Sequence, residues 1–162
     1  MNVEQHHATW VIILSFFISF ILAIIPLPDW AISWRPDWVA LVLIYWCIAL
    51  PQRVGIATGW FLGIILDVLH DTLFGQHALA FSLVAYISVK LHKQMRLFPR
   101  WQQATVVFAL VVSAQLIGVW IHSLFGSPEM NQPLFYPALT SLLLWPWLFI
   151  ILRDMRRTYK VS

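Results

Sequence analysis

Residues 53–77 read RVGIATGWFLGIILDVLHDTLFGQH, and this stretch decides the fold. Gly55, Gly59 and Gly63 recur every four residues in an otherwise apolar run, and Asp67 continues the spacing. A step of four residues turns a helix by only about 40°, so the glycines form one groove without side chains. In water each glycine would cost such a helix roughly 1 kcal/mol, whereas in lipid this spacing lets another helix approach closely. The stretch therefore predicts a membrane helix that is the central packing helix of the protein.

The composition is that of a membrane protein. Of the 162 residues, 60% are hydrophobic and 10% are charged, whereas about 25% of the residues in a soluble domain are charged. The chain has room for five or six spanning helices and for no separate soluble domain. The chain has ten Lys and Arg residues and seven Asp and Glu residues. These charges lie at predicted helix ends and not on one soluble face, so nucleic acid is not a predicted partner.

Apolar runs predict six spanning helices in a single transmembrane domain, residues 1–162. The approximate ranges are 10–25, 36–51, 54–70, 77–91, 102–125 and 134–152. The second run reaches only about 24 Å at ~1.5 Å per residue, which is short for a bilayer. Five spans with a re-entrant second segment therefore remain an alternative.

The positive charges predict the orientation. With the N-terminus inside, the outer loops of the six-span scheme hold only Arg35, and the inner segments hold nine of the ten Lys and Arg residues. These nine are Arg53, Lys90, Lys93, Arg96, Arg100, Arg153, Arg156, Arg157 and Lys160. Because Lys and Arg accumulate in cytoplasmic loops, both ends of the chain are predicted to be cytoplasmic.

Asp67 is an ionisable side chain inside a predicted span, near its outer end. Two interpretations stay open: it makes a helix–helix or partner contact, with Arg35 as the candidate pair, or it caps the turn that follows. His70, Asp71 and His77 share that turn, but their spacing does not fix a tetrahedral geometry, so no metal site is predicted.

Catalytic signatures are missing from the sequence. It contains no G-x-S-x-G, H-E-x-x-H, P-loop or dinucleotide-binding fingerprint. Asp67 and Asp71 lie one turn apart on one helix, whereas intramembrane hydrolysis needs carboxylates from different spans at matching depth. Neither a catalytic residue nor a cofactor is predicted.

Several short motifs, taken in their order, resemble the rod shape-determining protein MreD family. They are Arg35-Pro36-Asp37 at the start of an apolar span, Tyr45-Trp46, Pro51-x-Arg53-x-Gly55, Gly59-x-x-x-Gly63-x-x-x-Asp67, Gly75 with Ala78-Leu79, and Tyr86. The resemblance covers nearly the whole chain in length and span order and is densest between Arg35 and Tyr86. A glycine ladder alone is common, but this order of elements is specific.

The resemblance implies a non-catalytic, multi-pass inner-membrane protein of the bacterial elongation machinery. Such a protein would bind the bitopic partner MreC and would link MreB filaments indirectly with RodA and penicillin-binding protein 2, which build peptidoglycan. The family fold is similar to that of the S-components of energy-coupling-factor transporters, which implies an all-α membrane protein with six transmembrane helices. Motif positions expected to serve helix packing or partner binding are Arg35, Asp37, Gly55, Gly59, Gly63 and Asp67.

Two functions are therefore expected as alternatives. In the first, a scaffold, the glycine groove and the outer loops dock the transmembrane helix and juxtamembrane segment of MreC. In the second, a small-molecule-binding membrane module, a cavity opens to the outer side and is lined by Trp30, Trp34, Asp67 and His77. A cavity packed shut by side chains would argue against the second function.

Overall fold

The structure is a computed structural model that describes residues 9–126 and 135–161, and every regular element in these ranges is an α-helix. The helices are α1 (Thr9–Ile24), α2 (Asp29–Ile32), α3 (Trp38–Ala49), α4 (Ile56–Leu69), α5 (Gln76–Leu97), α6 (Arg100–Leu124) and α7 (Tyr136–Thr158). Each of the six predicted apolar runs overlaps one of the longer helices, and the all-α prediction is confirmed. Residues 127–134, which join the predicted spans 102–125 and 134–152, lie outside the described residues.

Helix α3 is the centre of the fold. All its residues from Val39 to Ala49 are buried, and it packs against α1, α5, α6 and α7. A helix that is apolar on every side can be buried on every side. Helix α4 packs chiefly against α5. The prediction that the glycine helix is the central packing helix of the protein is therefore wrong. A groove without side chains lies on one face of a helix and brings one neighbour close. A helix with apolar side chains on every face can pack against several neighbours.

The two ends of the bundle differ in their side chains. At the histidine end, His70, His77 and His122 surround one cavity. At the arginine end, Arg96, Arg153 and Arg156 surround another. Helices α3, α5 and α7 begin at the histidine end and finish at the arginine end, and α6 runs the other way. Trp10 at the start of α1 packs edge-on against Tyr159, with ring centroids 5.1 Å apart, so α1 begins at the arginine end.

Apolar side chains also cover the outside of the bundle. Among the most exposed are Ile13 and Phe17 of α1, Phe61 and Val68 of α4, and Leu143 and Trp147 of α7. In the described part of the chain, two helices, α6 and α7, are long and apolar enough to cross a membrane, and α1, α3 and α4 are apolar but shorter. Apolar surface of this extent marks contact with lipid or protein. The fold is that of a membrane protein.

Candidate functional site

The glycines of α4 face α5. A Cβ added at Gly59 would lie 2.6 Å from the carbonyl oxygen of Phe81, and one at Gly63 would overlap the backbone of Ala78. Helix backbones come this close only where a side chain is missing. At Gly55, by contrast, an added Cβ would meet nothing within 4 Å. A helix of the same chain thus fills the groove at Gly59 and Gly63, so the groove is not open there to a helix of another protein.

Asp67 joins the end of α4 to the beginning of α5. Its carboxylate, 1% exposed, accepts hydrogen bonds from the Thr72 hydroxyl and from the backbone N–H groups of Gly75 and His77, each at 2.9 Å. Nδ1 of His77 donates to the same carboxylate at 2.8 Å. Because α5 begins at Gln76, the two N–H groups belong to a helix end that lacks intrahelical partners. A negative charge there also complements the helix dipole.

Arg35 contacts α1 and not Asp67. Its guanidinium donates to the carbonyl oxygens of Ala23 and Ile25 at the end of that helix. These carbonyls lack intrahelical partners, and a positive charge is favourable at this end of a helix. The interpretation that pairs Asp67 with Arg35 is therefore wrong, and the geometry agrees with the alternative, a carboxylate that caps the following turn.

Asp37 occupies the start of α3. Its Oδ1 accepts from the backbone N–H of Ala40 at 3.3 Å, which caps the helix. Its own N–H donates to the hydroxyl of Ser141 in α7 at 3.2 Å. Arg35 and Asp37 therefore fix the connection between α1 and α3 from both sides.

A cavity of about 640 Å³ opens at the histidine end, between α3, α4, α5 and α6. Its polar lining consists of Arg35, Asp37, His70, Thr72, Gln76, His77, Gln115 and His122. Of the residues predicted to line such a cavity, His77 does so. Asp67 is turned into the α4–α5 junction, Trp30 is 79% exposed, and Trp34 stacks on Tyr136 with ring centroids 4.4 Å apart. The lining predicted from the sequence is therefore wrong at these three positions.

Three polar atoms at this cavity have no hydrogen-bond partner among the described residues. They are Nε of Arg35 and Oε1 of Gln76 and of Gln115. Gln76 is 9% exposed and lies against Gly118, where an added Cβ would come within 2.9 Å of its amide nitrogen. Native proteins pair most buried polar atoms with protein, ordered water or a ligand. The cavity therefore offers one donor and two acceptors to a polar group.

Gln76 and Gly118 belong to this site but were not predicted from the sequence. The available signal was their position near helix ends on the same predicted side of the membrane. In the described residues, no group of three or more His, Cys, Asp and Glu side chains is placed to hold a metal ion. The polar groups of this cavity are therefore suited to hydrogen bonding.

Known proteins resemble the chain over almost its full length. The family model described as rod shape-determining protein MreD matches residues 4–155. The rod shape-determining protein MreD of Haemophilus influenzae is 33% identical over 153 residues, which are 94% of this chain and 94% of that protein. No solved structure matches significantly. The similarity in sequence thus includes both ends of the helical bundle.

Proposed function

Since the chain belongs to the MreD family of rod shape-determining proteins, we propose that it is a non-catalytic, multi-pass scaffold of the bacterial inner membrane. It binds MreC and helps to organise peptidoglycan synthesis, and through MreC it is connected indirectly to MreB, RodA and penicillin-binding protein 2. The observation that carries this proposal is the family match over residues 4–155. A role in determining rod shape follows from the family itself.

Packing inside the chain supports the choice of surface for this contact. Helix α3 is buried on all sides, and α5 fills the groove at Gly59 and Gly63. Helices α1 and α4 each pack chiefly against one neighbour, α3 and α5 respectively, and therefore leave most of their apolar surface uncovered. We expect the transmembrane helix of MreC to lie against α1 or α4.

A crosslinking scan in living rod-shaped cells tests this contact. A photoreactive amino acid replaces Phe17 of α1, or Phe61 or Val68 of α4, which are between 61% and 64% exposed. The control position is Leu143 of α7, which is 69% exposed. We expect adducts with MreC at positions of α1 or α4 and fewer at Leu143. If no position forms an adduct with MreC while the protein is present at normal levels, the proposed contact is wrong.

The cavity at the histidine end favours a second function, a membrane module that binds a small polar molecule. Its atoms on Arg35, Gln76 and Gln115 that lack a partner among the described residues match a ligand with both donors and acceptors. Such a ligand should raise the unfolding temperature of the purified protein, and Gly118→Ala should weaken this effect by displacing Gln76. A panel of polar ligands that leaves the unfolding temperature unchanged would argue for the scaffold alone.

A further inference from the structure

A second cavity, of about 410 Å³, lies at the arginine end between α3, α5, α6 and α7. Its described lining contains three arginines, Arg96, Arg153 and Arg156, and no Asp or Glu. The remaining walls are mostly apolar or aromatic and include Tyr45, Ile48, Leu50 and Phe149. Three like charges around one cavity repel each other unless an anion or solvent separates them. The lining therefore combines positive charges that favour an anion with apolar walls that favour hydrocarbon chains.

Arg96 is held rigidly in the wall of this arginine cavity. Its Nε and Nη2 donate to the carbonyl oxygen of Ile48 at 3.1 and 3.0 Å, and Nη2 also donates to that of Ala49 at 2.9 Å. Both carbonyls belong to the last turn of α3, which has no intrahelical donors for them. Because carbonyl groups carry no formal charge, they orient the guanidinium without neutralising it. Arg96 is a fixed positive charge, and its Nη1 makes no hydrogen bond within the described part of the chain.

Gln103 supplies an oriented hydrogen-bond acceptor. It is 4% exposed, and its Nε2 donates to the carbonyl oxygen of Met95 at 2.6 Å. This hydrogen bond fixes which way the amide faces. Its Oε1 is buried without a partner among the described residues, which is unfavourable unless a donor reaches it. The arginine cavity therefore has an acceptor for a hydroxyl or N–H donor beside its positive charges.

Arg153 and Arg156 lie one turn apart on α7 and are half-buried at the same cavity. Arg153 also lies 3.4 Å from Asp154, whose side chain is 61% exposed. An exposed ion pair of this kind contributes little and leaves the arginine available to a buried anion. The two side chains add a pair of positive charges beside the fixed charge of Arg96.

We propose that the arginine cavity binds the headgroup of an anionic phospholipid. The phosphate lies between Arg96, Arg153 and Arg156, since the guanidinium group matches phosphate oxygens in geometry and charge. A headgroup hydroxyl donates to Oε1 of Gln103, and the acyl chains leave along the apolar walls into the bilayer. The charge distribution of the chain places this end at the cytoplasmic surface, where basic pockets between helices meet anionic lipids. This site is independent of the contact with MreC.

Lipid titration of the full chain in detergent, read by native mass spectrometry, tests the proposal. Phosphatidylglycerol carries one phosphate charge and two headgroup hydroxyls, and phosphatidylethanolamine has no net charge. We expect the first to bind about 30-fold more tightly, as two basic contacts imply. Inorganic phosphate at equal concentration should not displace it, because the acyl chains contribute to binding. Equal binding of both lipids, or displacement by inorganic phosphate, would overturn the proposal.

A charge-matched pair of variants locates the binding site. Arg153→Gln with Arg156→Gln removes two charges from the cavity, and Arg157→Gln with Lys160→Gln removes two exposed charges from the same helix end outside it. The first pair should lose about 30-fold in phosphatidylglycerol affinity, and the second should change it by less than about twofold. Equal losses in both pairs would show a general charge effect and would contradict the site.

A comparison of two lipids tests the role of Gln103 without any variant. Phosphatidylmethanol has the phosphate charge of phosphatidylglycerol but lacks the headgroup hydroxyls. It should therefore bind the unaltered protein several-fold more weakly than phosphatidylglycerol, since Oε1 of Gln103 then stays unpaired. Equal affinities would refute the hydrogen bond to Gln103.

Discussion

At the scale of single residues, one buried carboxylate decides how α4 meets α5. Asp67→Asn removes the negative charge and turns an amide NH₂ group toward donors that need an acceptor, namely the N–H groups of Gly75 and His77. We expect a loss of about 2–3 kcal/mol in unfolding free energy, because hydrogen bonds to a charged acceptor are lost in a buried place. Thermal unfolding of the purified protein in detergent measures the change.

The control for this substitution is Asp71→Asn, four residues further along the chain. Asp71 is exposed and has a φ of 52°, a conformation that asparagine adopts readily. The unfolding temperature of the Asp71→Asn variant should stay within about a degree of that of the unaltered protein, because surface substitutions generally change stability little. If both variants unfold alike, Asp67 does not stabilise the junction.

The position of Asp67 on its helix was predictable from the sequence, but the choice between its two interpretations was not. Spacing along a helix gives the depth and direction of a side chain. The donors that reach Asp67 come from the turn between α4 and α5, and their directions depend on backbone angles such as the φ of 100° at Gly75. Arg35 illustrates the same limit, because its acceptors are carbonyl groups, which leave no signature in a sequence.

At the scale of helices, the close approach of α4 and α5 depends on two missing side chains. Gly63→Ala places a methyl group on the backbone of Ala78, which cannot move aside as a flexible side chain could. We expect this variant to lose about 1–3 kcal/mol of stability or more by overpacking. Gly55→Ala is the matched control, since its Cβ meets nothing within 4 Å. Unfolding in detergent should separate the two variants, and equal stability would contradict the packing described for α4.

The role of α3 shows what apolar patterning leaves open in a membrane protein. All faces of residues 39–49 are apolar, and such a helix is equally suited to lipid and to the middle of a bundle, because both surroundings are apolar. Glycine spacing identified a close helix contact, but not whether the second helix belongs to the same chain. Only the packing of α3 against α1, α5, α6 and α7 distinguishes the central helix from the peripheral ones.

At the scale of the whole molecule, the order of the longer helices was predictable, but the cavities were predictable only in part. A cavity on the histidine side was expected, and of its predicted lining only His77 is correct. The arginine cavity was not expected. Apolar runs separated by proline, glycine and charged residues mark the helices, and the charges sort their ends. A cavity depends on how the ends of four helices meet, and its lining residues are far apart in the chain, as His70 and His122 are. Polar residues near helix ends on one side of the membrane were the available signal, but that signal does not say which of them meet.

The distribution of charge makes a prediction about the whole molecule that separates six membrane crossings from five. Nine of the ten Lys and Arg residues lie on one side in the six-span scheme. Single cysteines replacing Trp34 and Lys160, both exposed, report the two sides, and the native Cys47 is buried and gives no background. A membrane-impermeant thiol reagent should label Trp34→Cys in spheroplasts but Lys160→Cys only after lysis, because positive loops stay in the cytoplasm. Labelling of Lys160→Cys in intact spheroplasts would place the basic tail outside and would leave five crossings.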